Sequence, residues 1–348
     1  MAKYIIKRLI LVLFTAFIVL SLTFILYKTL PLDVPIAAGK NACADYLNKQ
    51  YNLGYVLRFT EEHPELGTLL GNRGYQVGDS TTFYYYYSKP VMEQYFQWIG
   101  NILTKWDWGV SSSLYVNQPV MDVILSKLPV TIEINLISIL IAVPLGILIG
   151  IVAALNKDKP IDHIINTIIM IVIALPSFIT ILYLILFFGY NLKWLPTRFA
   201  DENASYADHV RSLVIPVMAL SIGTIAGFAR FVRAELCEVM SSDYLTLART
   251  KGLTRRQSII HHALRNSMVP VVPMIIAEFI GILGGSMILE NLYNIRGVGN
   301  IYMNAYSSKD YTLLMANTAF YTIIGLASSV LVDISYGFID PRIRMGAK

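Results

Sequence analysis

The chain has 348 residues, of which 55% are hydrophobic and 15% are charged, whereas roughly 25% of residues are charged in ordinary soluble domains. A soluble fold cannot hide that much apolar surface. The formal net charge of +5 does not mark a nucleic-acid binder, because the basic residues sit beside apolar runs and form no soluble basic face.

The apolar residues gather into runs of about 20 or more, long enough to cross a hydrocarbon core of about 30 Å. An all-α polytopic membrane protein, surrounded by lipid, is therefore expected. The first run, residues 9–27, follows Lys3, Lys7 and Arg8. It exceeds the apolar core of a signal peptide, about 7–15 residues, and lacks a clear A-x-A-like exit, so residues 1–27 read as a cytoplasmic end and an uncleaved first span.

Residues 28–129 form a large external segment in this reading. It holds turn-formers at Gly71-Asn72 and Gly78-Asp79 and an aromatic cluster at Tyr84, Tyr85, Tyr86 and Tyr87, which suits either an ordered cap or an irregular loop, with partial order favoured. Residues 130–348 form a five-span core, with apolar runs at 130–155, 164–190, 213–232, 268–289 and 313–338. Six transmembrane helices are thus expected.

Charge orients them. Lys157 and Lys159 follow the second span, Arg230, Arg233, Arg249, Lys251, Arg255, Arg256 and Arg265 crowd the fourth-to-fifth connection, and Arg342, Arg344 and Lys348 close the chain. The positive-inside rule puts these faces, and both termini, in the cytoplasm of a cell-membrane protein. Connections 191–212 and 291–312 carry few basic residues, as exported loops should. Cys43 and Cys237 then lie on opposite sides of the membrane and cannot pair.

Two small-residue pairs, Gly146-x-x-x-Gly150 and Gly281-x-x-x-Gly285, either let helices approach closely or reflect the general abundance of glycine in membrane helices. Glu278 stands in the middle of the fifth span, where a carboxylate costs a few kcal/mol or more unless it meets a cavity or a partner. With Gly281, Gly285 and Glu290 it is a candidate for the translocation path or a subunit interface.

The connection 234–267 is too polar to span and reads as two helices with a bend. Ser241, Ser242 and Asp243 offer N-cap oxygens, residues 244–251 form two turns with Tyr244, Leu247 and Ala248 on one face, and Gly252 suits a left-handed C′ position. Thr254-x-x-Gln257 has the form of a capping box opening a second helix. Such a short helix fits a groove on a soluble partner or lies on lipid headgroups. No G-x-x-x-x-G-K-[ST] or G-x-S-x-G pattern occurs, so no enzyme is indicated. His261 and His262 are adjacent and diverge by about 100° on a helix, unlike a metal-binding i, i+4 pair.

The stretch from Asp243 through Tyr244, Leu247, Ala248, Arg249, Lys251 and Gly252 to Leu253, followed by His262-Ala263-Leu264-Arg265-Asn266-Ser267-Met268-Val269-Pro270-Val271, resembles the cytoplasmic signature of the oligopeptide, dipeptide and nickel permease family of ABC importers. The resemblance extends to Arg8-Leu9, Pro119-Val120, Leu175-Pro176-Ser177-Phe178, Trp194-Leu195-Pro196, Arg230, Arg233, Asp310-Tyr311 and the terminal Asp340-Pro341-Arg342-Ile343-Arg344.

It implies that the short helix is a coupling helix seated in an ATP-hydrolysing subunit. It also implies a homologous second permease, two ABC ATPase subunits that bind ATP-Mg, an extracytoplasmic substrate-binding protein and a peptide cargo, with nickel as second choice. No cofactor is expected on this chain. Departures from the pattern are Thr246-Leu247-Ala248 where the broader ABC-importer signature has Glu-Ala-Ala, Arg296 where proline usually precedes Gly297, and a longer external segment. The rival class is a proton-coupled secondary transporter using Glu278 with Glu133 or Glu290, against which stands the lack of a convincing inverted repeat.

Overall fold

The computed structural model describes residues 2–30, 34–78 and 81–339. Asp79, the terminal motif at residues 340–344 and Lys348 lie outside them. The described chain is mostly helical and divides into two units.

One unit comprises Leu11–Pro129 and Arg296–Ile323. It takes helix α1 (Ala2–Lys28) from Leu11 onward and continues through α2 (Lys40–Asn52), strands β1 (Val56–Phe59), β2 (Tyr75–Gln76) and β3 (Phe83–Ser88), and α3 (Val91–Lys105). The strands form an antiparallel sheet in the order β1-β3-β2, with Val56 opposite Ser88 and Tyr75 opposite Tyr84. This corrects the all-α expectation. The run of tyrosines favours a pleated, half-buried surface over a helix, and its alternation covers both faces of the sheet. Tyr84 and Tyr86 pack with Cys43, Tyr46 and Leu47 of α2, while Tyr87 meets the Phe59 ring and accepts a hydrogen bond at its hydroxyl from the His63 N–H at 2.8 Å. Gly71 and Asn72 both adopt positive φ, as the turn signal anticipated.

A second core in this unit joins Phe24 of α1, Tyr95 and Trp98 of α3, Trp108, and Val120, Val123 and Ile124 at the start of α4 (Val120–Leu155) to Val298, Ile301 and Leu313. Asp310 is fully buried at its centre. Its carboxylate accepts from Ser111 Oγ at 2.5 Å, from the Ser113 and Leu114 N–H groups at 3.0 and 3.1 Å, and from the Leu313 N–H at 3.1 Å. One side chain thus caps a helix N-terminus and fixes the 111–114 loop.

The other unit comprises Met1–Ile10, Val130–Ile295 and Ile324–Lys348. It holds the rest of α4, then α5 (Pro160–Ala174), α6 (Ser177–Leu184), a wider turn at Ile185–Asn191, α7 (Tyr206–Met240), α8 (Asp243–Thr250), α9 (Arg255–Ser258), α10 (Leu264–Ser267), α11 (Val271–Gly281) and α12 (Met287–Leu292). Helices α13 (Val298–Ser307) and α14 (Tyr311–Ile339) complete the chain.

Among the described residues, four helices are long and apolar enough to cross a membrane by themselves: α1 over Ile6–Lys28, α4, α7, and α14 over Tyr311–Ser335. Two further segments pass the same length and composition test only as bent pairs, Pro160–Ala174 with Ser177–Asn191 at 99° and Arg255–Ser267 with Val271–Gly284 at 49°. The unbroken runs at 164–190 and 268–289 are therefore not continuous helices. Pro176 supplies no N–H and holds Leu175 extended at φ −86°, ψ 121°, and Gly285 leaves the helix at φ +59°.

The two small-residue pairs behave differently. A Cβ at Gly146 would lie 2.6 Å from Phe228 Cβ and one at Gly150 would lie 2.7 Å from the Ala229 carbonyl oxygen, so α4 and α7 touch at these positions. A Cβ at Gly281 would meet nothing within 4 Å. At Gly285, by contrast, a Cβ would lie 2.9 Å from Thr131 Cγ2 of α4, so in the second pair only Gly285 stands at a close helix contact.

Candidate functional site: the surface helix and the broken fifth segment

Helix α8 is positioned by a residue that the sequence reading did not single out. Leu245 is buried against Ala154 of α4, Leu236 of α7 and Ala263, whereas Tyr244 and Leu247 are 42% and 56% exposed. The helix turns its Tyr244, Leu247, Lys251 side outward because Leu245 fixes the opposite side. Ala248 is half-buried, and Asp243, Arg249, Lys251 and Gly252 are exposed.

Its ends follow from backbone chemistry. Ser242 occupies the N-cap position, but its hydroxyl donates backward to the Val239 carbonyl at 2.6 Å and caps nothing. At the C-terminus the Gly252 N–H reaches the Arg249 carbonyl and the Leu253 N–H reaches the Ala248 carbonyl, a Schellman arrangement that needs the positive φ of +95° found at Gly252. Leu253 is half-buried. Thr254 and Gln257 then form the expected capping box, with Thr254 Oγ1 accepting from the Gln257 N–H and Gln257 Oε1 accepting from the Thr254 N–H. His261 and His262 are both exposed.

A second arrangement locks the base of this region. Arg233 of α7 donates from Nε and Nη2 to the two carboxylate oxygens of Asp162 in α5, both at 2.6 Å. The same carboxylate accepts from Asn166 Nδ2 at 2.6 Å and from the Asp158 N–H at 3.1 Å. Arg233 was legible as part of a basic cluster; Asp162, 71 residues away, was not.

The two fifth-segment carboxylates separate. Glu290 is buried, accepts from Thr131 Oγ1 at 3.2 Å, and lies against Gly285 so closely that any Cβ there would collide with its Oε1. Glu278 is half-buried and has no hydrogen bond or ion pair among the described residues. Gly281 is exposed and lies on neither contact. Glu133, the third carboxylate considered, is bonded to His209 Nε2 at 3.1 Å. Of the four candidate positions, Gly285 and Glu290 pack together against Thr131.

Four helices long and apolar enough to cross a membrane, two sharply bent helix pairs and a short helix fixed through Leu245 are the described features of a polytopic membrane protein. Residues 146–345 match the family described as the binding-protein-dependent transport system inner membrane component, and the chain belongs to that family. It is 31% identical over 345 residues to the dipeptide transport system permease protein DppB of Lactococcus lactis, covering 99% of this chain and all of that one. It is 35% identical over 260 residues to the oligopeptide transport system permease protein OppB of Haemophilus influenzae, covering 75% of this chain and 83% of that one. The Bacillus subtilis dipeptide permease DppB is 31% identical over 351 residues, with both chains fully covered.

Proposed function

We propose that this chain is the permease subunit of a peptide-importing ABC transporter, in which it pairs with a homologous permease, receives cargo from an extracytoplasmic binding protein and is driven by two separate ATPase subunits that hold ATP-Mg. Peptides follow from the dipeptide and oligopeptide permeases that it resembles along most of its length; nickel is the second choice of cargo. In this reading the two bent pairs each count as one span, giving six, and residues 28–129 lie outside the cell. The ion pair between Arg8 near the start of α1 and Asp333 near the end of α14 supports termini on one side of the membrane, and the Lys and Arg distribution makes that side cytoplasmic.

The observation that carries the proposal is the outward Tyr244, Leu247, Lys251 side of α8, a short helix fixed to the helical core through Leu245. An apolar patch with a basic shoulder, on a helix that cannot rotate, transmits motion from a docked subunit to α4 and α7. Asp243, Ala248, Arg249, Gly252 and Leu253 complete the coupling segment. Leu247→Glu should abolish co-purification of the ATPase subunits while leaving membrane insertion intact. Gly252→Val, which strains a left-handed position by about 1–2 kcal/mol, should weaken it. Full ATPase recovery with both variants leaves α8 as a helix lying on lipid headgroups.

One observation favours a second reading. Glu278 is a half-buried carboxylate with no partner among the described residues, which is what a proton carrier requires. The uptake measurement that closes the Discussion separates the two.

A further inference from the structure

Helix α3 has three faces. Gln94, Tyr95, Trp98 and Asn101 are buried in their unit, and Glu93, Gln97 and Thr104 form an exposed polar strip. Between them runs a third strip of Met92, Phe96, Ile99 and Leu103, at spacings of i, i+4, i+7 and i+11, confined to an arc of about 60° at 100° per residue. Met92, Phe96 and Leu103 are 55%, 67% and 79% exposed, and Trp106, which ends the helix, is 64% exposed. An ordinary domain helix buries its apolar stripe; this one leaves half of its apolar arc uncovered.

The depth of the helix says what covers it. Tyr95 Oη is 2.6 Å from Ser21 Oγ, and the Phe24 ring lies 5.5 Å from the Tyr95 ring and 4.9 Å from the Trp98 ring. Ser21 and Phe24 belong to the last two turns of the membrane-spanning stretch Ile6–Lys28. At 1.5 Å per residue they lie about 6–10 Å inside its end. Helix α3 is thus pinned beside the span at the depth to which interfacial helices sink, about 5–10 Å. Exposed Leu22, at 62%, shows that lipid-facing positions exist on α1 at the same level. Trp106 at the helix end is the residue type that settles at the headgroup boundary.

We propose that α3 is a monotopic membrane helix, lying in the leaflet at the Lys28 end of the first span, with Met92, Phe96 and Leu103 in the acyl chains and Glu93, Gln97 and Thr104 toward water. Under the proposed orientation the leaflet is the outer one. The inference rests on the membrane reading of α1 and is independent of the cargo.

The test is collision accessibility of a nitroxide placed at Leu103→Cys, Met92→Cys, Gln97→Cys or Leu22→Cys, in a Cys43→Ala, Cys237→Ala background, with the full chain in lipid nanodiscs. Labels at 103 and 92 should favour oxygen over a water-soluble nickel chelate, as at 22, and the label at 97 should show the reverse order. A label at 103 that favours the nickel chelate places the strip in water and overturns the proposal. A label at 103 that is immobilised and shielded from both reagents shows a protein partner on the strip and equally overturns it.

Discussion

Asp162 and Arg233 meet through two parallel hydrogen bonds of 2.6 Å, although the Asp162 side chain is 1% exposed and the Arg233 side chain 25%. The pair ties the start of α5 to the end of α7. Its unequal burial sets the order of mutational damage. Arg233→Ala strands a buried carboxylate that retains only Asn166 and the Asp158 N–H, and breaking such a pair costs about 3 kcal/mol. Asp162→Asn leaves a guanidinium that water can reach and should cost less. Arg233→Lys keeps the charge but loses the fork and should fall between wild type and Arg233→Ala. The thermal midpoint of the detergent-purified protein checks this order, and an Asp162→Asn variant less stable than Arg233→Ala would contradict it.

Gly146 and Gly150 are expected to tolerate no side chain. A methyl at either position must push α4 away from α7, with a cost of about 1–3 kcal/mol for each overpacked group, so Gly146→Leu and Gly150→Leu should reduce monodisperse protein in fluorescence size-exclusion profiles. Gly281→Ala meets open space and should behave as wild type. Equal profiles for all three would remove the helix contact from the account.

Topology can be read by thiol labelling, but Cys43 is a poor reporter. It is 1% exposed in the core beside Tyr46 and Tyr86, and burial pushes its thiol above the ordinary cysteine range, which leaves little thiolate to react. In intact cells lacking an outer barrier, Glu62→Cys, on the exposed surface of the same unit, should react with an impermeant maleimide far faster than Cys43. Cys237 should react only after permeabilisation. Labelling of Cys237 in intact cells, with none at position 62, would invert the orientation.

Sequence made the apolar runs legible because length alone decides whether a segment can cross a bilayer. It also exposed local chemistry: the capping box at Thr254 and Gln257, the left-handed Gly252 and the turn at Gly71-Asn72 all depend on neighbours within a few residues. The breaks were harder. Leu175-Pro176 was visible as a motif, yet its 99° bend depends on what surrounds the freed backbone groups as well as on the proline. Contacts between distant residues, such as Asp162 with Arg233 or Asp310 with Ser111, leave no periodic trace, and Leu245 differs from Leu247 only in the core that it meets. The sheet was masked because four consecutive tyrosines show no polar alternation when both faces are covered.

The most direct measurement is uptake of a labelled peptide by the chain reconstituted with its permease, ATPase and binding-protein partners, comparing wild type with Glu278→Gln. The exchange keeps the size and hydrogen-bonding capacity of the side chain while removing its charge. Uptake should require ATP on the ATPase side in both, persist when a protonophore collapses the pH gradient, and be largely retained in Glu278→Gln. Uptake that proceeds without ATP, depends on the gradient and vanishes in Glu278→Gln would contradict ATP-driven import and establish proton coupling in its place.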